Sequence, residues 1–348
     1  MVQMRICLFW CVVAVLRPSF AEELKPEILF EGLDQPCGVA VQSQTDHVFV
    51  AESGKGRVVR FVDGKLEEVV VGFPLRELEN GFRFKAGPIG LTFLDSKTLL
   101  IGGAGQPPGQ DVIYVASVPQ TGEPALNATD LLKLKPAADA KSNLPLGEFY
   151  GIVATESAIF ATGTGAQKRG GLVKVAIREQ QNPTDPKSYG PLNYFPLANQ
   201  AGAKGRPAGI VISPRNAVVV GLMGQLGQEA DSRLSFFRPT NGERLLSVET
   251  GLRDIVALSY GALLPPSNKA QLYALDLAWE QPTEGGLFRL DAAMVDGKPS
   301  VRPVKLASLQ YPTAITLAGN GSTYVTILGA VPENDLPQGK LLTFAPGL

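Results

Sequence analysis

The chain has 348 residues, of which 45% are hydrophobic and 19% charged, with 38 glycines and 27 prolines. This composition excludes a disordered chain and is typical of a folded protein rich in turns. The 32 lysines and arginines nearly balance the 33 aspartates and glutamates, and no basic run occurs, so the sequence predicts no nucleic-acid partner.

Residues 1–21 have the pattern of a secretory signal peptide. Arg5 supplies a positive charge, Ile6–Leu16 is an apolar core, and Ser19-Phe20-Ala21 fits the small-x-small rule for cleavage. The apolar core is short for a membrane helix, which needs about 20 such residues. The sequence therefore predicts cleavage near Ala21, a secreted or periplasmic protein without a membrane span after signal removal, and a single domain over residues 22–348. An uncleaved anchor is the alternative.

The first unit of the predicted domain contains three short strands. Gly38–Val41 is a small apolar run, His47–Ala51 is β-branched and aromatic, and Val58–Phe61 follows a glycine-rich turn. A small antiparallel sheet cannot bury both of its faces alone. The pattern therefore predicts further copies that stack against the first.

Five further copies follow, and their inner strands are spaced by about 55 residues on average. Each copy has a second strand and a third strand, and a more charged fourth strand follows in five of the six units. The inner strands begin at Gly38, Gly90, Gly151, Gly209, Ile255 and Ala314. The fourth strands are Lys65–Val71, Leu131–Lys135, Asn193–Leu197, Arg244–Val248 and Val301–Leu306.

The sixth unit ends after its third strand, at Phe344, and its missing outer strand has a candidate near the other end of the chain. The segment PEILFEGL, which begins at Pro26, resembles the other fourth strands. Pairing of Glu27–Glu31 with Leu341–Phe344 would close a ring and remove an exposed sheet edge. The sequence thus predicts an all-β fold, a six-bladed β-propeller closed by the N-terminal strand that completes the last blade.

The repeats show P-x-G-(V/I)-A-V, followed in the first unit by h-V-F-V-A-(D/E)-S-G-x-G-R-V-x-R-F. They resemble the NHL-type six-bladed propellers, a group that includes gluconolactonases and strictosidine-synthase-like proteins. The resemblance covers residues 25–346. It implies a central channel whose broad face carries the ligand site, formed by the loops before the first strands and between the second and third strands.

The loops between the second and third strands are long in five units, and only Ser53–Gly56 is tight. Because binding residues concentrate on loops held by a rigid scaffold, the sequence predicts that this length is available for function. The alternative is that the loops merely cover the face. The long loops are Gly103–Asp111, Gly163–Gly171, Gly221–Ser232, Asp276–Gly286 and Leu328–Gly339.

The sequence shows no catalytic constellation. His47 is the one histidine, which excludes a multi-histidine metal site, and the residues around Ser53 are not a nucleophile elbow. Cys37 lacks a histidine partner and is predicted to be a small packed residue. We therefore predict no catalytic residues and no cofactor.

Charged and aromatic residues at the predicted channel mouth are the candidates for ligand binding. Arginine with tyrosine and tryptophan can bind carboxylates and stack on sugar or peptide planes. The alternative is that these charges neutralise one another across a narrow channel. The candidates are Glu52, Arg57, Arg83, Glu148, Tyr150, Arg206, Arg253, Asp254, Trp279 and Tyr311, with Lys85 and Glu280 beside them.

Three functional hypotheses follow from these patterns. The preferred one is a monomeric binding module for a small-molecule, sugar or peptide ligand, or for a protein partner, on the loop-rich face. The alternative, implied by the resemblance, is a calcium-dependent lactonase or hydrolase. Its carboxylates and asparagine would stand at the inner-strand starts, and Glu148 and Asp254 are the candidate calcium ligands. A quinone-dependent sugar dehydrogenase is a third option, and the chain lacks its channel histidine. The inner-strand starts are Cys37, Ile89, Tyr150, Ala208, Asp254 and Thr313.

Overall fold

The structure is a computed structural model that describes residues 23–79, 83–135, 146–165, 170–179, 182–197, 205–225, 227–228, 230–264, 269–329 and 338–348. The described residues form six sheets of four or five strands and one separate two-stranded hairpin. Apart from two short 3-10 turns, Ser53–Lys55 and Pro186–Ser188, the regular elements in these ranges are strands. The prediction of an all-β, six-bladed β-propeller is confirmed.

The first three blades follow one another along the chain, and their inner strands come first. A short hairpin lies between the first and second blades, and short extra strands pair with the first and third. Blade 1 contains β2 (Pro36–Val41), β3 (Val48–Glu52), β4 (Arg57–Val62) and β5 (Lys65–Val71), and the hairpin is β6 (Arg76–Glu79) and β7 (Arg83–Ala86). Blade 2 contains β8 (Pro88–Phe93), β9 (Thr98–Gly103), β10 (Ile113–Ser117) and β12 (Leu132–Leu134), while β11 (Leu126–Asn127) pairs with β5. Blade 3 contains β13 (Leu146–Gly147), β14 (Ile152–Ala154), β15 (Ala158–Gly165), β16 (Gly170–Ile177) and β17 (Tyr189–Pro196).

The last three blades each contain four strands, and blade 6 takes one of them from the beginning of the chain. Blade 4 contains β18 (Pro207–Ile212), β19 (Val218–Leu222), β20 (Arg233–Phe237) and β21 (Arg244–Glu249). Blade 5 contains β22 (Ile255–Leu264), β23 (Lys269–Asp276), β24 (Gly286–Val295) and β25 (Lys298–Ser308). Blade 6 contains β26 (Pro312–Leu317), β27 (Thr323–Ile327), β28 (Gly339–Phe344) and β1 (Glu27–Leu33).

The predicted closure of the ring is confirmed. Strand β1 pairs antiparallel with β28, with Glu27 opposite Thr343 and Leu33 opposite Gly339. Lys340 Nζ lies 2.7 Å from Glu31 Oε1 on the same pair of strands. The outer strand of the last blade therefore comes from the start of the domain, and β28 has no exposed edge.

The core is divided among the blade interfaces. Aliphatic and aromatic side chains from each pair of adjacent sheets interlock in a separate buried cluster, so six clusters surround the axis. Phe49 of blade 1, for example, packs in one cluster with Leu99 and Tyr114 of blade 2. This arrangement explains why a single sheet of this composition needs neighbours to bury both of its faces.

Two features differ from the sequence-based expectation. The prediction of a long loop over Gly163–Gly171 is wrong at both ends of that range. Strands β15 and β16 extend into it, and Gly163 pairs with Gly171, so the loop is shorter than predicted. The hairpin of β6 and β7 was not predicted, because its alternating charged residues give no apolar stripe. The chain forms this hairpin between blade 1 and the beginning of β8, and the hairpin packs against the following blades, as described below.

Candidate functional site

The candidate site is the end of the propeller at which the inner strands begin. Because successive strands in a blade are antiparallel, the loops before the first strands and those between the second and third strands meet at this end. We call this end the loop face. Residues 1–21, predicted from sequence to be a signal peptide, lie outside the described residues.

The axis at the loop face is occupied by Tyr150, which precedes the inner strand of blade 3. Its hydroxyl donates a 2.7 Å hydrogen bond to the backbone carbonyl of Thr313 in blade 6. Its ring packs against a buried cluster that includes Cys37 and Ile89 of blades 1 and 2. Burial raises the pKa of the Tyr150 hydroxyl well above its usual range, and the nearby Cys37 adds to the shift. Tyr150 therefore connects opposite blades and fills the centre of the face.

Strand register corrects one position of the inner ring. Ala257 pairs with the second strand of blade 5 where Gly38 does in blade 1, after the same irregularity. Val256, not Asp254, therefore stands level with Cys37, and Asp254 lies two residues earlier, level with Gln35 and just before the inner strand begins. The difference arises because blade 5 lacks the Pro-x-Gly pattern that marks this position in blades 1, 2 and 4. The aligned ring is Cys37, Ile89, Tyr150, Ala208, Val256 and Thr313.

The donors in this ring do not fit a calcium centre. Calcium takes six to eight oxygen ligands, several of them carboxylates. Three of the six side chains are aliphatic, and Cys37 offers only a thiol. The hydroxyl of Thr313 donates to Pro36 O at 2.8 Å, and that of Tyr150 is engaged as described. Among the residues the structure describes, no three His, Cys, Asp or Glu side chains are grouped so that they could hold a metal ion.

Glu148 ties three parts of the face together. Its Oε1 lies 2.9 Å from Arg76 Nη2 in the hairpin, and the hydroxyl of Thr164 donates to its other oxygen. Its backbone N–H donates to Asp111 Oδ2 at 3.1 Å. Both carboxylate oxygens are thus engaged by neighbouring donors. This geometry suits a structural tie rather than a carboxylate free to contact a water molecule beside a substrate.

Asp111 holds the backbone of Glu148 in place through the hydrogen bond from the Glu148 N–H. It is 1% exposed and accepts a second hydrogen bond from the backbone N–H of Gln106 at 2.8 Å. Burial raises the pKa of this carboxyl to about 6, and the two backbone N–H donors oppose the rise. Its position was not predicted, because a lone aspartate in a loop resembles a turn residue.

Glu52 and Arg57 form a local network at the edge of blade 1. Glu52 is fully buried, with Arg57 Nε at 2.6 Å from one oxygen and Lys55 Nζ at 2.9 Å from the other. The backbone N–H of Asp34 also donates to Glu52 at 2.9 Å, and Arg57 Nη1 lies 2.6 Å from Glu68. Each charge here has an opposite partner, which corresponds to the mutual neutralisation considered in the sequence analysis.

Arg253 and Asp254 do not pair with each other. Arg253 Nε lies 2.7 Å from Glu284 Oε2, whereas Asp254 Oδ2 accepts the backbone N–H of Trp279 at 2.9 Å. The buried Asp276 accepts the backbone N–H groups of both residues, at 3.1 Å and 2.6 Å. The second-to-third-strand loop of blade 5 is therefore held directly against the start of its inner strand.

Trp279 and Tyr311 form an aromatic pair between blades 5 and 6. Their ring centroids are 5.7 Å apart, with a tilt of 57° between the planes. Both side chains are partly exposed and pack against the blade 5–blade 6 core cluster, as does Tyr150. The structure thus brings three of the predicted site residues, Tyr150, Trp279 and Tyr311, to one hydrophobic cluster.

Two predicted site residues are less informative. Arg206 is exposed at the start of blade 4, and its backbone carbonyl accepts a 2.8 Å hydrogen bond from the N–H of Met223. Arg83 begins β7, and its side chain lies outside the described part of the structure.

Buried hydroxyl groups at the loop face link successive blades, and none was identified from sequence. Ser53 accepts from Gly87 N at 2.8 Å, Thr162 donates to Ala208 O at 2.6 Å, and Ser232 accepts from Ile255 N at 3.1 Å. In each case a hydroxyl group of one blade bonds the backbone where the next blade begins. A serine or threonine at a strand end carries no distinctive signal, so sequence reasoning had no means of finding this set.

The fold and the loop face define a six-bladed β-propeller with a filled axis and an aromatic pair beside it. Solved structures of this architecture include two aldose sugar dehydrogenases. The apo-form of the soluble enzyme from Escherichia coli has a TM-score of 0.59 and 13% identity, over 93% of this chain and 100% of that one. The PQQ-bound enzyme from Streptomyces coelicolor has a TM-score of 0.58 and 11% identity, over 91% and 96%.

A gluconolactonase from Xanthomonas campestris is also similar, with a TM-score of 0.55 and 11% identity over 92% of this chain and 89% of that one. No family model matches the chain, and a search of the curated proteins found no match. At these identities the likeness shows the fold alone. The resemblance to gluconolactonase-like propellers inferred from sequence is confirmed at that level.

Proposed function

We propose that this protein is a secreted or periplasmic binding module whose ligand site is the loop face, and that it has no catalytic constellation of its own. The observation that carries the proposal is that Tyr150 occupies the axis of the ring at the loop face. Its hydroxyl donates a 2.7 Å hydrogen bond to the Thr313 carbonyl. The loop face therefore offers a ligand an aromatic surface rather than an open polar chamber.

The carboxylates support the same reading. A hydrolase of this architecture would need a carboxylate able to activate water or to hold a cation beside the substrate. Glu148 is engaged by Arg76 and Thr164, and the fully buried Glu52 by Arg57 and Lys55. Asp254 accepts the Trp279 N–H at 2.9 Å. The calcium-dependent lactonase remains the alternative because of the fold, and the donor set argues against it.

The accessible part of the face suits small ligands and peptides. Aromatic side chains such as Trp279 and Tyr311 stack on sugar rings and on peptide planes, and they contribute strongly to binding at protein interfaces. The near balance of 32 basic and 33 acidic residues argues against a nucleic-acid partner. No helix in the described ranges has the length and hydropathy to cross a bilayer.

The experiment uses the chain from Glu22 to Leu348, which contains every strand of the ring. The sequence has two tryptophans, Trp10 and Trp279, so this chain reports on the site through Trp279 fluorescence alone. We expect members of a saccharide and short-peptide panel to shift or quench the emission, without turnover. Lactone hydrolysis would be assayed in parallel with and without calcium. Calcium-dependent hydrolysis that is lost in Glu148→Gln or Asp254→Asn would overturn the proposal in favour of the lactonase.

A further inference from the structure

The arginines of the loop face whose partners are described are neutralised by acids. The sequence predicted Arg57 and Arg253 as binding groups, but their guanidinium groups, like that of Arg76 in the hairpin, lie within hydrogen-bonding distance of a carboxylate. Their positive charge is therefore used inside the face. The pairs are Arg57 with Glu52 at 2.6 Å, Arg76 with Glu148 at 2.9 Å, and Arg253 with Glu284 at 2.7 Å.

Four acids around the start of blade 5 make no such ion pair within the described residues, although the positive charge of Arg253 lies close enough to act on Asp276. Asp254 and Asp276 accept backbone N–H groups as described above, Asp231 Oδ1 accepts Gln225 N at 3.0 Å, and Glu280 Oε2 accepts Gly227 N at 2.9 Å. In the part of the chain that the structure describes, none of the four makes an ion pair with a lysine or arginine. Counting the described residues alone, these four acids together with the pair of Arg253 and Glu284 give this region of the loop face a net negative charge.

The four carboxylates are close enough to influence one another. Burial raises the pKa of Asp254, the Trp279 N–H opposes the rise, and the negative charges of Asp276, Glu280 and Asp231 add to it. Like charges gathered in a half-buried place destabilise one another unless a cation neutralises them. A positively charged ligand placed here would remove that repulsion.

An aromatic surface borders these acids. Trp279 is joined to Asp254 through its own backbone N–H, and its ring is paired with Tyr311 at 5.7 Å. The faces of tryptophan and tyrosine attract cations, most strongly those that are weakly hydrated and organic. An aromatic pair next to a carboxylate with negative neighbours thus combines the two groups that recognise a protonated amine.

We propose that this part of the loop face, Asp254, Trp279 and Tyr311 with Asp231, Asp276 and Glu280 around them, binds an organic cation. The ligand class is a protonated amine, free or carried as a lysine side chain or an amino terminus. Its ammonium group lies against Asp254 and its carbon skeleton against the aromatic pair. The inference rests on the proposed binding function and names the charge of the ligand.

A hydrated metal ion fits this place less well. The acids use oxygens to accept backbone N–H groups, and no three of them in the described ranges are arranged to ligate one ion. Aromatic rings offer no oxygen ligands to calcium or magnesium. Amines satisfy both the negative charge and the exposed ring surface.

The test is a titration of Trp279 fluorescence in the chain of residues 22–348 with three compounds that share one ring. Benzylammonium is positive, benzyl alcohol neutral and benzoate negative at neutral pH. We expect benzylammonium to bind at least about tenfold more tightly than benzyl alcohol, because of the cation–π and charge-assisted contacts. We expect benzoate to be the weakest of the three.

Variants locate the effect. Asp254→Asn keeps an acceptor for the Trp279 N–H and removes the charge, so the affinity for benzylammonium should fall about tenfold. The matched control Asp46→Asn removes an exposed carboxylate from the opposite face, at a turn with φ of 56° that asparagine tolerates, and should bind like the parent. Far-ultraviolet circular dichroism and the melting temperature confirm that each variant is folded.

The outcomes separate the two proposals. Equal affinity for all three compounds, absence of benzylammonium binding, or an unchanged affinity in Asp254→Asn would overturn the cation site. Preference for benzoate would overturn it too, and would direct attention to the exposed Arg206. The binding function would survive each of these results if a saccharide or an uncharged peptide still changed Trp279 emission. It would fall with the catalytic result described above, or if no saccharide or peptide of the panel changed Trp279 emission.

Discussion

The hydroxyl of Tyr150 in blade 3 donates a 2.7 Å hydrogen bond to the backbone carbonyl of Thr313 in blade 6. These residues are 163 positions apart in sequence and belong to opposite blades of the ring. The bond therefore fixes the width of the ring at the loop face as well as filling its centre. A ring held only by contacts between neighbouring blades would lack this cross-ring hydrogen bond.

Tyr150→Phe should destabilise the protein by about 1–2 kcal/mol, because the Thr313 carbonyl loses its donor in a buried place. Urea unfolding followed by circular dichroism measures the change. Tyr324→Phe is the matched control, since the Tyr324 hydroxyl makes no hydrogen bond within the described residues, and its cost should be under about 0.5 kcal/mol. Equal losses of unfolding free energy in the two variants would contradict a stabilising role for this cross-ring hydrogen bond.

Closure of the ring by β1 gives a second prediction. Leu33 is fully buried where β1 meets β28, whereas Ile28 on the same strand is 48% exposed. Leu33→Ala should cost about 2–4 kcal/mol through lost burial and a cavity, and Ile28→Ala less than about 1 kcal/mol. The free energy of unfolding of both variants is the measurement. A small loss at Leu33 would mean that the N-terminal strand contributes little to the last blade.

Most of the scaffold could be predicted from the sequence, because its strands repeat a local pattern. In β3, for example, the run from Val48 to Ala51 is β-branched or apolar and fully buried, and such a run identifies a strand without tertiary context. The closure could be predicted because five outer strands were found for six inner ones, and the segment at Pro26 had the right pattern.

The site could be predicted only in part. The residues that gather there were identified, among them Tyr150, Trp279 and Tyr311, but their pairing was not. Which arginine meets which carboxylate depends on loop geometry, and the two-residue offset of Asp254 was missed because blade 5 lacks the Pro-x-Gly pattern found in blades 1, 2 and 4. The hairpin that carries Arg76 has the sequences RELE and RFKA, whose charges give no signal for a strand.

Asp111 gives a prediction about pH. Burial raises the pKa of its carboxyl from the ordinary 3.8 to about 6 in the folded protein. Between these values the unfolded chain loses the proton while the folded chain keeps it, so this group's contribution to stability falls as the pH rises through that window. A difference of about two units corresponds to at most about 3 kcal/mol.

The variant Asp111→Asn removes this titration. The free energy of unfolding of the parent relative to Asp111→Asn should therefore decline from pH 4 to pH 6.5 and be level above it. Unfolding curves at several pH values give the difference. Asparagine offers one oxygen where two N–H groups now donate, so the absolute stability of the variant is not the readout. A difference that rises with pH would show that the folded-state pKa is not raised.

The ion pair between Arg76 and Glu148 anchors the hairpin of β6 and β7 to blade 3. Its side chains are 21% and 30% exposed, whereas those of the surface pair Arg238 and Glu243 are 51% and 54% exposed. Arg76→Ala should therefore cost about 1 kcal/mol and Arg238→Ala less than about 0.5 kcal/mol, because solvent screens the more exposed pair.

The loss should also be local. Hydrogen exchange of the backbone amides in β6 and β7 should accelerate in Arg76→Ala while the amides of β3 and β9 keep their protection, because the hairpin is a separate two-stranded sheet. In Arg238→Ala the hairpin should exchange as in the parent. Unchanged hairpin exchange in Arg76→Ala would show that packing against Ala104 and its neighbours, rather than Glu148, holds the hairpin on the loop face.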